Sequence, residues 1–236
     1  MTQPASPKAP SPAAGRLPES GMACEIAGDE ACACNRGREA LAHWDEALGI
    51  YASFSMATEA ARVASKMATS EEALGETDQA CAHYELASGF YKQSGKSYRV
   101  PMCLNNQAML LKMSGDLEGA AELLERALDE ASRCHGSIHG ETALIAANLG
   151  TVLCECGDLQ GAEQRHMQAL GIREQLFGAK HPDIGLSLGH LAVIHQLHGD
   201  IPRAKRFYLS ALAILEDFPE LHGAERNVLR ENLAAL

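Results

Sequence analysis

Three stretches of the chain repeat one pattern: GDLEGAAELLERA at residues 115–127, GDLQGAEQRHMQA at residues 157–169 and GDIPRAKRFYLSA at residues 199–211. Each stretch begins with Gly-Asp, and successive stretches start 42 residues apart. An alanine follows each glycine after five residues and again after twelve. Periods of about 20 to 50 residues are typical of folds built from stacked, similar units. The pattern therefore predicts a repeat protein.

The pair of alanines also recurs upstream, at a period of 40 residues. Four residues after the first alanine of each pair stands a larger side chain, so each unit has three fixed positions. The first alanines are Ala40, Ala80, Ala120, Ala162 and Ala204, the larger residues are Trp44, Tyr84, Leu124, His166 and Tyr208, and the second alanines are Ala47, Ala87, Ala127, Ala169 and Ala211. All ten alanine positions are filled, which indicates five units.

A second helical pattern precedes each Gly-Asp. When the glycine is counted as slot 15, the third unit has Leu104, Ala108 and Leu111 at slots 4, 8 and 11. At about 100° per residue these slots lie on one side of an α-helix, as in an amphipathic helix. Each unit is therefore predicted to be a pair of helices joined by a glycine turn. One pair cannot bury its apolar face alone, so the pairs must stack on their neighbours.

The chain resembles the tetratricopeptide repeat family, in which alanines and a large residue occupy these same slots. The 42-residue period, Ala169-Leu170-Gly171-Ile172-Arg173-Glu174, and His181-Pro182-Asp183 resemble the kinesin light chain type of repeat. The resemblance implies an all-α, right-handed superhelical solenoid. Its units would span residues 21–56, 57–98, 99–138, 139–180 and 181–222. The second unit departs from the pattern, with Glu71 at the apolar slot 11.

The two ends of the chain differ from the repeats. Residues 1–20 contain five prolines, and a segment this rich in proline and serine is expected to be a disordered tail. An organelle transit peptide in residues 1–20 remains an alternative. Residues 223–236 repeat the first-helix pattern and are expected to form a capping helix, with Leu229 and Leu233 packed against the fifth unit.

Composition excludes several classes of protein. The net charge of −11 would repel phosphate backbones, so a nucleic-acid partner is not expected. No apolar run is long enough for a membrane helix, so no membrane association is expected. The eight cysteines are too few in a chain of this length for a disulfide scaffold, and we expect reduced thiols and a cytoplasmic location.

No set of residues predicts catalysis or a cofactor. Cys32 and Cys34, like Cys154 and Cys156, stand two residues apart, which on a helix points their side chains about 200° apart, so neither pair can close on one metal ion. The histidines near His190 are not spaced to converge. No serine or cysteine stands beside a base in a strained turn. We therefore expect no metal, no cofactor and no enzymatic activity.

The first-helix face opposite the apolar stripe is the candidate binding site. In the family that the chain resembles, this face lines a concave groove that holds peptides. Slot 6 places four polar residues 42 positions apart. Their side chains either bond to a ligand backbone, or they are merely solvated or bridge to the next repeat. The candidate groove residues are Lys66, Met102, Asn105, Asn106, Met109, Lys112, Met113, Asn148, Thr151, Glu155, His190, Val193 and Asn232.

The expected function is that of an adaptor or scaffold. Around the polar column the candidate groove is rich in methionine and poor in net charge, which suits an extended or amphipathic apolar segment of a protein partner. The chain's own N-terminal tail is an alternative occupant of the groove. A constitutive structural subunit of a larger complex is the alternative function.

Overall fold

The computed structural model describes residues 18–236, and within that range the chain forms eleven α-helices, one short 3-10 turn and no β-strand. The all-α prediction is confirmed. The helices are α1 Pro18–Ala33, α2 Gly37–Ser53, α3 Ala57–Leu74, α4 Thr77–Gln93, α5 Val100–Ser114, α6 Leu117–His135, α7 Gly140–Glu155, α8 Leu159–Phe177, α9 Pro182–Leu197, α10 Ile201–Glu216 and α11 Gly223–Ala234. The expected tail lies outside the described residues up to position 17, whereas residues 18–20 belong to α1 and not to a tail.

The chain divides into two compact units, each larger than a single repeat. The boundary between them lies inside α5, between Cys103 and Leu104. In the first unit α1 packs on α2, α2 on α3 and α3 on α4. In the second unit α7 packs on α8 and α9 on α10, and contacts of α6 with α7, α8 with α9 and α10 with α11 connect successive helices. No disulfide joins the eight cysteines, all of which lie in the described range.

The Gly-Asp pairs form the turn within each helix pair. Gly115 ends α5 with a φ of 91°, a left-handed conformation that glycine adopts without strain. The next residue, Asp116, accepts a hydrogen bond at its Oδ1 from the backbone N–H of Gly119, 2.9 Å away, and so caps the N-terminus of α6. Asp158 and Asp200 cap α8 and α10 in the same way. The motif therefore stops one helix and starts the next.

Small residues of the first helix face the large residue of the second. A Cβ added to Gly28 would lie 2.4 Å from the Trp44 ring, and a Cβ added to Gly150 would lie 2.7 Å from Cδ2 of His166. Both distances are far below van der Waals contact, so these glycines leave the space that the rings fill. The alanines that flank the large residues are completely buried. The two helices of a pair thus approach closely along one stripe.

Buried carboxylates lie in the first helices of the first two repeats. Glu25 is 3% exposed, accepts a hydrogen bond from the Tyr51 hydroxyl at 3.0 Å, and pairs with Arg62 at 2.6 Å and Lys66 at 2.8 Å. Glu71, the residue at the apolar slot, lies 2.7 Å from Nδ1 of His83. A buried charge is tolerated when it is paired and hydrogen-bonded.

The last helix packs on the fifth pair of helices through apolar contacts and one arginine. Leu229 is buried with the core of α9 and α10, and Leu233 and Leu236 pack against the same cluster. Arg226 donates hydrogen bonds to the carbonyl oxygens of Leu215 and Phe218, at 3.1 Å each, near the C-terminus of α10. A cation near the C-terminus of a helix interacts favourably with the helix dipole.

We predict that Gly150→Ala destabilises the protein although alanine is the better helix former. The new methyl group collides with the buried His166 ring, and overpacking of this kind costs about 1–3 kcal/mol, offset in part by about 0.5–1 kcal/mol of helix propensity. Gly171 in α8 has no heavy atom within 4 Å of its added Cβ, so Gly171→Ala is the matched control. In chemical denaturation Gly150→Ala should lower the free energy of unfolding and Gly171→Ala should raise it. Equal effects would contradict the packing described here.

Candidate functional site

Ten of the candidate residues lie in the second unit, on the first helices α5, α7 and α9. We call this surface the first-helix face; its residues are Asn105, Asn106, Met109, Lys112, Met113, Asn148, Thr151, Glu155, His190 and Val193. Two contacts join α5 to α7 across it. The Asn148 side chain donates to Oδ1 of Asn105 at 2.8 Å, and the Lys112 ammonium lies 2.8 Å from Oε1 of Glu155.

Three asparagines form a chain of hydrogen-bonded amides on this face. Asn148 donates to Asn105, which in turn donates from its Nδ2 to Oδ1 of Asn106 at 3.3 Å. Asn105 is 4% exposed, whereas Asn106 and Asn148 are partly exposed. Asn148, a slot 6 residue, therefore bridges to Asn105 of the preceding repeat. Since each amide has donors and an acceptor, the chain ends keep a donor at Asn106 and an acceptor at Asn148.

The rest of the first-helix face is mainly apolar. Met113 is 75% exposed, and Met109 and Val193 are partly exposed. Thr151 donates its hydroxyl proton to the Ala147 carbonyl of its own helix at 3.1 Å. The one ion pair, Lys112 with Glu155, brings no net charge. The face thus offers flexible apolar side chains beside a fixed row of amides.

A stacked pair of histidines lies at the α9 side of this face. The His166 and His190 rings are 4.7 Å apart and nearly parallel, at 11°. His166 is 1% exposed and its Nδ1 makes no hydrogen bond with any described residue. Burial, followed by the charges of His190 and Arg173, lowers the pKa of His166 to about 3. The His190 ring reaches solvent, but the protein around it displaces enough water to lower its pKa as well, with Arg173 and Lys112 adding to the shift.

The partly buried Arg173 is held beside this stack by a hydroxyl. Its Nη1 donates to the Ser187 hydroxyl oxygen at 2.6 Å, and Ser187 donates in turn to the Asp183 carbonyl at 2.9 Å. Burial lowers the pKa of Arg173, and the charge of Asp183 opposes that shift. Burial first, and then the positive charge of this guanidinium, therefore disfavour the protonated form of both histidines.

The other three candidates have different surroundings. Lys66 lies in the first unit, where its ammonium is 2.8 Å from Glu25 and 2.7 Å from Asp29 of α1. Met102 is a partly buried residue of α5 in the same unit. Asn232 of α11 is hydrogen-bonded to the Tyr208 hydroxyl, which also donates to Gln196 at 2.6 Å. Lys66 and Asn232 are therefore each engaged with side chains of their own unit.

The first unit contains a cavity of about 920 Å³ that the candidate set largely missed. Ser65, Lys66 and Thr69 of α3 and Asp29 of α1 line it, and Trp44 closes one side while donating to Asp29 at 3.1 Å. In the repeat register Ser65, Lys66 and Thr69 occupy slots 5, 6 and 9. Forty residues later the same slots hold the candidate groove residues Asn105, Asn106 and Met109. The repeat register therefore indicated these lining residues. They were overlooked because the second repeat departs from the pattern in its first helix, α3.

We predict that His166 makes the protein acid-sensitive. The folded state holds this imidazole neutral, with a pKa of about 3, whereas the unfolded chain takes up a proton near pH 6.5. Its contribution is therefore complete above pH 6.5 and is lost as the pH falls toward 3, by about 2 kcal/mol between pH 7.5 and pH 5. Denaturation curves at several pH values measure this loss. The His166→Leu variant, which copies Leu124 of the third repeat, should lose about 2 kcal/mol less free energy of unfolding than the wild type over that range. The same loss in both proteins would contradict the assignment.

Comparison with known structures reveals several similar chains. BtubC (BKLC) from P. vanneervenii is 20% identical, with 86% of this chain and 92% of that chain covered and a TM-score of 0.65. A kinesin light chain protein with TPR-like repeats from Podosopora anserina is 18% identical, with 86% and 98% covered and a TM-score of 0.69. The apo form of RapI is 16% identical, with 84% and 54% covered and a TM-score of 0.76. At these identities the similarity shows the fold alone.

The sequence comparisons define the family. No curated protein sequence matches the chain. A family model described as tetratricopeptide repeat matches residues 59–130 and 141–217, which together are more than half of the chain. Within residues 18–236, no helix has both the length and the apolar character needed to cross a membrane. The helix pairs, the Gly-Asp turns and this match show that the chain belongs to the tetratricopeptide repeat family.

Proposed function

We propose that this protein is a non-enzymatic adaptor that holds an extended segment of a protein partner on the first-helix face of its second unit. The observation that carries the proposal is the chain of amides formed by Asn106, Asn105 and Asn148. Family membership supports a role in protein–protein interaction. Kinesin light chain proteins are among the similar structures, but the identities are too low to transfer a partner.

The amide chain suits recognition of a peptide backbone. An extended segment presents N–H and C=O groups that need partners when water is removed from them. Asn106 would donate to a backbone carbonyl and Asn148 would accept from a backbone N–H. Because Asn105 holds both neighbours through hydrogen bonds, these amides lose little freedom when a segment binds, and such pre-organisation favours affinity.

The apolar side chains indicate what the segment carries. Met109, Met113 and Val193 offer partly or largely exposed apolar surface next to the amides. Methionine is flexible and polarisable, so it adapts to differently shaped apolar side chains. The Lys112–Glu155 pair and the uncharged histidine stack give the face no strong charge of either sign. We therefore expect an extended or amphipathic apolar segment.

The chemistry of the face supports a binding role over a catalytic one. Its charged residues, Lys112 and Glu155, are paired with each other. The pKa of both stacked imidazoles is lowered, which weakens them as bases at neutral pH. The proposal therefore assigns no reaction to these residues.

We predict that Met113→Glu weakens the binding of apolar segments without affecting the fold. The test uses the full chain to select binders from a library of random twelve-residue peptides, followed by measurement of the dissociation constants of selected peptides. Since Met113 is 75% exposed, a charge there should leave the melting temperature unchanged but raise the dissociation constant at least tenfold. Leu209, 58% exposed on the second helix α10, supplies the control Leu209→Glu, which should change neither quantity.

Three results would contradict this proposal. Peptides that bind both variants as tightly as the wild type would place the binding surface elsewhere. A library that yields no binder would favour the alternative function, a subunit held permanently in a larger complex. Selected peptides that match residues 1–17 of the chain itself would instead support an autoinhibitory tail.

A further inference from the structure

Three possible metal ligands meet where α6 passes into α7. His135 is the last residue of α6, His139 is the N-cap of α7, and Glu141 lies in the first turn of α7. One nitrogen or oxygen atom from each of the three lies within 4.8 Å of the others. Nε2 of His135 is 3.3 Å from Oε2 of Glu141, and these two side chains are only 15% and 17% exposed.

The connecting loop is held in a defined conformation. Gly136 ends α6 with a φ of 91°, and its carbonyl accepts a hydrogen bond from the Thr142 hydroxyl at 3.0 Å. Thr142 is completely buried. Since the loop is fastened on both sides, the two imidazoles are brought together by the backbone and not by chance rotamers.

The next junction in the chain repeats this arrangement without the first histidine. Forty-two residues later, Phe177 and His181 stack with ring centres 4.4 Å apart, as His135 and His139 stack at 4.5 Å. His181 also caps its helix, because its Nδ1 accepts a hydrogen bond from the N–H of Asp183 at 3.3 Å. Stacking and capping therefore need only an aromatic ring, the capping histidine and an acidic residue. The imidazole of His135 adds a ligand that the packing does not require.

We propose that His135, His139 and Glu141 bind a divalent transition-metal ion, with Zn²⁺ as the best match. Two imidazoles and one carboxylate, with water in the fourth position, are a ligand set that zinc accepts in proteins. Bonds of about 2.0–2.2 Å require the ligand atoms to move closer than 4.8 Å, which small rotations of three partly exposed side chains would provide. The net charge of the chain, −11, favours the uptake of a cation.

Metal binding exchanges one hydrogen bond of His139. In this structure its Nδ1 accepts from the Glu141 N–H at a distance of 3.2 Å. A neutral imidazole that binds a metal through Nε2 carries its proton on Nδ1, so this bond must be released. The ion thus takes the place of this long hydrogen bond and of the 3.3 Å contact between His135 and Glu141, and its ligand bonds tie the end of α6 to the first turn of α7.

The proposal is tested by titrating the reduced, metal-free full chain with Co²⁺ and then displacing it with Zn²⁺. We expect one equivalent of Co²⁺, with the visible absorption of a four-coordinate site and no thiolate charge-transfer band. The decisive variant is His135→Phe, which copies the junction at Phe177. It should keep the metal-free melting temperature and lose at least tenfold in metal affinity.

The cysteines provide the necessary control, because thiolates compete for zinc. Cys32, Cys34 and Cys156 are exposed, and replacing all three with serine should leave the uptake of one equivalent unchanged. Three results would overturn the proposal: equal affinity in His135→Phe and the wild type, a thiolate band that disappears in the serine variant, or no stoichiometric uptake at micromolar Co²⁺.

Discussion

The close approach of two helices within each pair is the constraint on which the rest of the structure depends. In the first helix a glycine or alanine leaves space, and in the second helix a larger residue fills it, as with Gly28 and Trp44 or Gly150 and His166. The alanines on either side of that residue are fully buried, which shows how closely the two helix backbones approach each other. Interiors packed to this density respond to a single added methyl group.

This packing also determines which residues face away from it. Because an α-helix has 3.6 residues per turn, fixing the buried stripe of α5 and α7 fixes the opposite stripe as well. That stripe holds Asn105, Asn148 and Met113, and it brings the two asparagines within 2.8 Å of each other. The proposed binding surface is therefore a consequence of the same register that builds the core.

Sequence alone predicted what is periodic and missed what is not. The helix pairs, the turn at Gly115 and the position of α11 follow from spacing, and the structure has each of them. The ion pair of Glu25 with Lys66 joins residues 41 positions apart, in the first helices of the first two repeats, and no periodicity reveals it. The cluster at His139 was missed because its ligands span two helices and a loop, whereas a sequence pattern displays only closely spaced cysteines and histidines on one helix.

The fold and the candidate sites are linked through His166. Its ring fills the space that Gly150 leaves, and its burial keeps it uncharged. The same ring stacks against His190 of the first-helix face. In the third pair of helices the slots of Gly150 and His166 hold Ala108 and Leu124, and both are buried. The fold therefore already accepts alanine and leucine as a small and a large residue at these two slots.

A double-mutant cycle of Gly150→Ala and His166→Leu, followed by chemical denaturation, tests this central claim most directly. Residues in contact show coupling energies of about 0.5–3 kcal/mol, whereas independent sites add. If the two positions share one space, the double variant will be less destabilised than the sum of the single variants by at least about 1 kcal/mol. Strict additivity would show that the small and large slots are not matched and would contradict the account.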